Sequence, residues 1–101
     1  MKTKEFDKIL TNRLAQIKQI LGSKAEEYAQ DNDRLHNFKV AATMNQTTPA
    51  IALWGMATKH LVSVTDLING KLSPSNEMID EKVGDMINYL ILLEAVLKEQ
   101  V

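Results

Sequence analysis

The chain has no cysteine and few aromatic residues: one Trp, two Tyr and two Phe in 101 residues. Without cysteine there is no disulfide, no thiolate nucleophile and no cysteine zinc site. With so few aromatics, packing must come from Leu, Ile, Val, Ala and Met, a composition that suits helices. The apolar content of 45% is ordinary for a globular protein. We therefore expect one small domain covering residues 1–101.

The chain also lacks a strong charge of either sign and any long apolar run. A net charge of -1 and a pI near 6.1 give no electrostatic reason to expect nucleic acid or a membrane surface as partner. No apolar run approaches the length of a membrane span, and residues 1–4 lead into an amphipathic pattern instead of an apolar signal core. We expect a cytoplasmic protein with no membrane partner.

Apolar residues recur at steps of three and four along most of the chain, the period of an amphipathic helix. No alternating strand pattern is found. The sequence predicts an all-α bundle of about four helices, covering residues 3–29, 34–44, 48–68 and 75–99.

Local capping signals support these boundaries. Thr48-Pro49 is a typical helix start, and Asn69-Gly70 a typical stop. Asp31 or Asp33 is the expected cap of the second helix, and Ser73 or Ser75 that of the fourth.

The two C-terminal helices have extensive apolar surface. The fourth is apolar on more than one face, which is typical of a helix at the centre of a bundle. In so short a chain a neighbouring subunit is needed for some of that cover, so we expect a homo-oligomer, most simply a dimer. The predicted core stripes are Leu53, Trp54, Ala57, Leu61, Val64 and Ile68 in the third helix, and Ile79, Val83, Met86, Leu90 and Leu97 in the fourth.

The most informative polar feature is a stripe on the fourth helix. Glu81, Asp85 and Asn88 share one face, and the same face continues into Leu92 and Val96. Buried carboxylates need a cation, a basic partner or a hydrogen-bonding ligand. Two carboxylates one turn apart can share a hard cation such as Mg²⁺. The alternative is an acidic pair that favours the positive end of the helix dipole.

Three other segments carry candidate binding residues. Lys24 and Glu27 flank the apolar stripe of the first helix, where they form either part of the site or a surface ion pair. Lys59 and His60 suit phosphate binding, or else belong to a solvated face. Arg34 and Asn37 suit contacts to a phosphate and a base edge. Phe38, between them and the core, is expected to pack.

Taken together these motifs resemble the MazG-like, all-α nucleoside triphosphate pyrophosphatases and small phage and prophage proteins linked to nucleotide metabolism. The resemblance covers about residues 20 to 95. Its motifs are Lys24-x-x-Glu27-Tyr28-Ala29, Asp33-Arg34-Leu35-His36-Asn37-Phe38, Lys59-His60, and the run from Asp80 to Leu90. In that superfamily a Glu-x-x-Glu on one helix and a Glu-x-x-Asp on another hold Mg²⁺ in a bundle that is usually dimeric.

The resemblance implies a Mg²⁺-dependent pyrophosphohydrolase of NTPs or dNTPs, acting in a bacterial host. Glu27, Glu81 and Asp85 are then the metal-binding and catalytic residues. Lys82 stands where the family usually has Glu, and Glu26-Glu27 replaces the family's Glu-x-x-Glu. Two alternatives stay open: an oligomer that sequesters a host immune signalling nucleotide without turnover, and a structural helical oligomer. The ligand contacts in the nucleotide-binding interpretations are Lys24, Arg34, Asn37, Lys59, His60 and Asn88.

Overall fold

The computed structural model describes residues 1–22, 33–71 and 73–101. All regular structure in these ranges is helical, which confirms the all-α class, and no helix there is long and apolar enough to cross a membrane. The chain divides into two compact units, Met1–Arg34 and Leu35–Val101. The helices are α1 (Thr3–Ile17, followed by a π-helical turn at Lys18–Gly22), α2 (His36–Met44), α3 (Pro49–Ile68) and α4 (Asn76–Gln100).

The first unit contains α1 and the π-helical turn. No residue of α1 is buried, and the α-helical pattern stops at Ile17. A π-helical turn adds about one residue per turn, so apolar spacing alone does not distinguish it from continued α-helix. Arg34, the last residue of this unit, donates a hydrogen bond from its guanidinium to the Leu21 carbonyl at 3.1 Å. The remainder of the predicted first helix, residues 23–29, lies outside the described residues.

The second unit has its core where α3 packs against both α2 and α4. Phe38 of α2 is buried there as predicted, and Leu53 of α3 and Val96 of α4 are almost completely enclosed. Lys39 and Glu99 form an ion pair between α2 and the last turn of α4. The core comprises Leu35, Phe38, Leu53 and Val96, with Ala50, Tyr89, Leu92 and Leu93 packed around it.

Three helix boundaries follow from local signals in the sequence. The Thr48 hydroxyl accepts a hydrogen bond from the Ile51 amide at 3.3 Å, and the Ser75 hydroxyl accepts one from the Met78 amide at 3.1 Å. Ser75, not Ser73, is therefore the cap of α4. Gly70 has a φ of 68°, the left-handed conformation that ends a helix with little strain for glycine.

The predicted cap of α2 is wrong. Asp33 is not its N-cap: that position is taken by Leu35, and no side-chain capping hydrogen bond is present. Asp31, the other predicted cap, lies outside the described residues. Leu35 is buried in the core with Phe38, so the residue at the start of this helix also packs in the core.

The predicted core stripes of α3 and α4 are partly wrong, because several of their residues are exposed in the single chain. Leu53 and Ala57 are fully buried as predicted, but Trp54, Leu61 and Ile68 of α3 are exposed. In α4, Met86 is buried and Val83 half-buried, whereas Ile79, Leu90 and Leu97 are exposed. The residues placed off that stripe, Leu92 and Val96, pack on the core. A helix that is apolar nearly all round has no periodic signal that selects one face.

Candidate functional site

Three polar or aromatic side chains meet where α3 packs on α4. The Nδ1 atom of His60 lies 3.4 Å from Oδ2 of Asp85, an ion-pair distance when the imidazole is protonated. The His60 ring also lies against Tyr89, with centroids 5.0 Å apart and planes tilted by 31°. Asp85 and Tyr89 are neighbours one turn apart on α4, so a single imidazole from α3 touches both.

Asn88 is the next polar residue along this face of α4. It is 8% exposed, and its Oδ1 atom is closed to solvent and accepts no hydrogen bond. It lies three residues after Asp85, which places the two side chains on the same face of the helix. Most buried polar atoms in native proteins have a partner, so an unpaired one needs an explanation. We call His60, Asp85, Asn88 and Tyr89 the His60 cluster.

Exposure falls along the acidic stripe of α4. Glu81 is exposed, the Asp85 side chain is 38% exposed, and Asn88 is buried. The stripe then continues into half-buried Leu92 and buried Val96. The stripe therefore runs from solvent into the core, with Asp85 at the boundary.

The other sequence-predicted residues are not members of this cluster. Lys59 is adjacent to His60 but exposed, and Asn37 is exposed on α2. Arg34 belongs to the first unit, where it contacts Leu21. Lys24 and Glu27 lie outside the described residues.

The donor set of the cluster suits polar ligands with hydrogen-bond donors or positive charge. The Asp85 carboxylate and the Asn88 carbonyl are oxygen acceptors, and a protonated imidazole carries positive charge for an anion. Carboxylate and carbonyl oxygens are also the ligands that Mg²⁺ takes. Within the described ranges, no group of three or more His, Cys, Asp or Glu side chains is arranged to hold a metal ion.

Tyr89 is the member of the cluster that sequence reasoning passed over. It stands at the end of the acidic run, four residues after Asp85. That spacing is the available signal, since residues four apart share a helix face. The spacing alone does not indicate a site, because the His60 imidazole that contacts both residues comes from α3.

A second surface lies on the opposite side of α4. Leu90 and Leu97 are each 48% exposed, and both are about half a turn around the helix from Asn88. They border an open, mostly apolar groove of about 400 Å³ near the C-terminus. The groove is lined by Leu90, Leu93, Glu94, Leu97, Lys98 and Val101.

No protein-family model matches this chain, and comparison with curated proteins and with solved structures gave no match. The resemblance to MazG-like pyrophosphatases therefore stays a prediction made from the motifs. The function has to be argued from the geometry of the His60 cluster.

Proposed function

We propose that this protein binds a nucleotide at the His60 cluster. The observation that carries the proposal is the buried Asn88 carbonyl oxygen, which accepts no hydrogen bond although it lies one turn from the His60–Asp85 pair. Leaving such an oxygen unpaired costs about 1–3 kcal/mol. A ligand donor that paired with Asn88 would remove that cost.

Two further features favour a nucleotide over another polar ligand. The His60–Tyr89 ring pair provides aromatic surface, and nucleobases are bound by stacking together with hydrogen bonds to their edges. Exposed Lys59, next to His60 in sequence, would supply positive charge for phosphate. Lys24, Arg34 and Asn37 are further proposed contacts.

In the enzymatic form of the proposal, the protein is a MazG-like, Mg²⁺-dependent pyrophosphohydrolase of a phage or prophage, acting in the host cytoplasm. Glu27, Glu81 and Asp85 would hold Mg²⁺. Unpaired Asn88 Oδ1, on the same stripe, fits this donor set because Mg²⁺ takes carbonyl as well as carboxylate oxygens. The bound ion would supply charge neutralisation on the phosphates. Asp85 and His60 would position the ion and the phosphate against each other.

We also propose that the chain self-associates through the exposed apolar side of α4. Ile79, Leu90 and Leu97 are exposed there, on a helix whose other side already packs on α3. Large apolar patches on a folded chain mark interaction surfaces. A second copy would cover this one.

The proposal is tested by a thermal-shift screen of NTPs, dNTPs and cyclic nucleotides, each with Mg²⁺ and with EDTA. A ligand that binds only the folded state raises the melting temperature by mass action. A shift that requires Mg²⁺, followed by pyrophosphate release, supports the hydrolase. A shift that persists in EDTA without turnover supports capture, as in sequestration of a host signalling nucleotide.

Variants then connect the shift to the cluster. His60→Gln and Asp85→Asn should each reduce it, while the matched control Asp66→Asn, on α3 near Lys71, should not. Glu81→Gln should abolish Mg²⁺-dependent turnover, with Glu94→Gln as the control further along α4. If no nucleotide shifts the melting temperature, the nucleotide proposal is wrong and the structural oligomer is the better interpretation.

A further inference from the structure

We propose that Asn69 is a site of spontaneous covalent modification, at which the side-chain amide reacts with the backbone nitrogen of Gly70 and is converted by water to a carboxylic acid. Asn69-Gly70 is the one Asn-Gly pair in the sequence. Asn69 is the C-cap of α3, and both residues are exposed. The site is independent of the nucleotide proposal, because neither residue belongs to the His60 cluster.

The reaction exchanges ammonia for water in two steps. The Gly70 nitrogen attacks the side-chain carbonyl carbon of Asn69, and a new C–N bond closes a cyclic succinimide. The side-chain NH₂ group leaves with the Gly70 N–H proton as ammonia. Water then opens the ring at either of its two carbonyls, which gives aspartate or isoaspartate. Glycine favours ring closure because it has no β-carbon beside the attacking nitrogen.

The hydrogen bonds that end α3 hold the attacking nitrogen. The Gly70 N–H donates to the Leu67 carbonyl, and the Lys71 N–H donates to the Asp66 carbonyl, each at 3.2 Å. Together with the positive φ of Gly70, these bonds form a Schellman motif. Ring closure requires rotation about the Asn69 Cα–C bond, away from its ψ of 0°, and this rotation releases the Gly70 N–H. Opening of the last turn of α3 therefore limits the rate.

The end of α2 provides a matched comparison within the same chain. Asn45 is also an exposed C-cap, and Gln46 after it has a φ of 53°. The same two kinds of backbone hydrogen bond end the helix there. Two features differ: Gln46 has a β-carbon beside its nitrogen, and the Asn45 Nδ2 atom donates to the Ala41 carbonyl at 2.8 Å. We therefore expect Asn45 to react far more slowly than Asn69.

The experiment incubates the full chain in mildly alkaline buffer and follows each asparagine-containing peptide by chromatography and mass spectrometry. The Asn69 peptide should be lost first and replaced by two acidic isomers, with little loss of the Asn45 peptide when half of Asn69 has reacted. Incubation in urea should accelerate the loss at Asn69, because the unfolded chain no longer holds the Gly70 N–H. Gly70→Asn should slow it in both conditions, since asparagine accepts the left-handed conformation but adds a β-carbon beside the nitrogen.

The outcomes separate the site from its chemistry. If the Asn69 peptide persists in the folded protein and reacts only in urea, the fold blocks the reaction and the proposal is wrong. It is equally wrong if another asparagine reacts before Asn69. Equal rates in buffer and in urea would exclude control by the end of α3. Loss that is unchanged in Gly70→Asn, with circular dichroism showing retained helix content, would indicate direct hydrolysis of the amide and overturn the ring-closure step.

Discussion

The side-chain carbonyl of Asn88 lowers the stability of the folded chain, because water hydrogen-bonds it in the unfolded state and no group in the described residues does so in the fold. Leucine has a similar shape and no polar atom. We expect Asn88→Leu to raise the free energy of unfolding by about 1–3 kcal/mol, the cost of an unsatisfied buried group. Urea denaturation measures the change, with the slope m held constant as a check on two-state behaviour.

The expected gain in the free energy of unfolding has two sources, removal of the unpaired oxygen and a change in helix propensity. A control variant separates them. Leucine also has a higher helix propensity than asparagine. Asn12→Leu makes the same replacement at an exposed position of α1 and reports propensity alone. A gain at residue 88 no larger than that at residue 12 would mean that Asn88 is satisfied in solution.

Gly55 is a second position at which a single substitution should change the free energy of unfolding. It lies within α3, and a β-carbon added there would meet no atom within 4 Å. Glycine in a helix interior costs roughly 0.5–1 kcal/mol relative to alanine. Gly55→Ala should therefore raise the free energy of unfolding by that amount. A loss of stability, measured by the same denaturation, would indicate that another surface approaches α3 closely at this point.

At the scale of the element, the start of α4 depends on one hydroxyl. The Ser75 side chain accepts a hydrogen bond from the Met78 amide, one of the helix's unpaired donors. Ser75→Ala should lower the free energy of unfolding by about 1 kcal/mol. Ser73→Ala is the matched control, because Ser73 lies two residues before the cap and should leave stability unchanged. Equal losses at the two positions would contradict the assignment of the cap.

Helix ends were predictable where the signal is local and not where packing decides. Thr48, Pro49, Gly70 and Ser75 act through the backbone of their own turn, so the sequence is enough to locate them. The start of α2 depends on burial of Leu35 against residues distant in sequence. No local pattern contains that information.

The core face of α4 was unpredictable for a related reason. Both sides of the helix are apolar, and hydrophobic periodicity measures contrast between faces. The side with Leu92 and Val96 packs on the core because α3 happens to lie there. Choosing between two apolar faces requires knowing the neighbouring helix, which is a tertiary fact.

At the scale of the whole molecule, part of the candidate site follows from local sequence and part depends on how the helices pack. Asp85 and Asn88 could be grouped from the sequence because they share one helix face. The sequence indicated His60 as a candidate by itself, as a histidine at the border of a core stripe, but did not indicate its partners. Its contacts with Asp85 and Tyr89 join residues of two different helices that are about 25 to 29 positions apart in sequence. Such a contact arises from helix packing, so spacing within either helix does not predict it.

One apolar stripe of α4, part buried and part exposed, has a regular spacing that bears on assembly. Ile79, Val83, Met86, Leu90, Leu93 and Leu97 follow one another at alternating steps of four and three. That is the heptad spacing with which one helix packs along another of similar sequence. The seam is long, and within the single chain it is only partly covered, since Leu90 and Leu97 are about half exposed. A second copy of α4 offers the matching surface, which is why we expect self-association there.

Leu97→Glu places a charge in this seam and should break the association. Burying one leucine contributes about 1.5–3 kcal/mol, so the dissociation constant of the oligomer should rise about tenfold or more. Sedimentation velocity over a range of protein concentrations measures it, with circular dichroism to check that helix content is retained. Val62→Glu is the control, because Val62 is also about half exposed but lies on α3. Should Val62→Glu dissociate the oligomer and Leu97→Glu leave it intact, the interface lies on α3 instead. A protein that is monomeric before any substitution would exclude self-association through α4, and the apolar seam would then be a surface for a different partner.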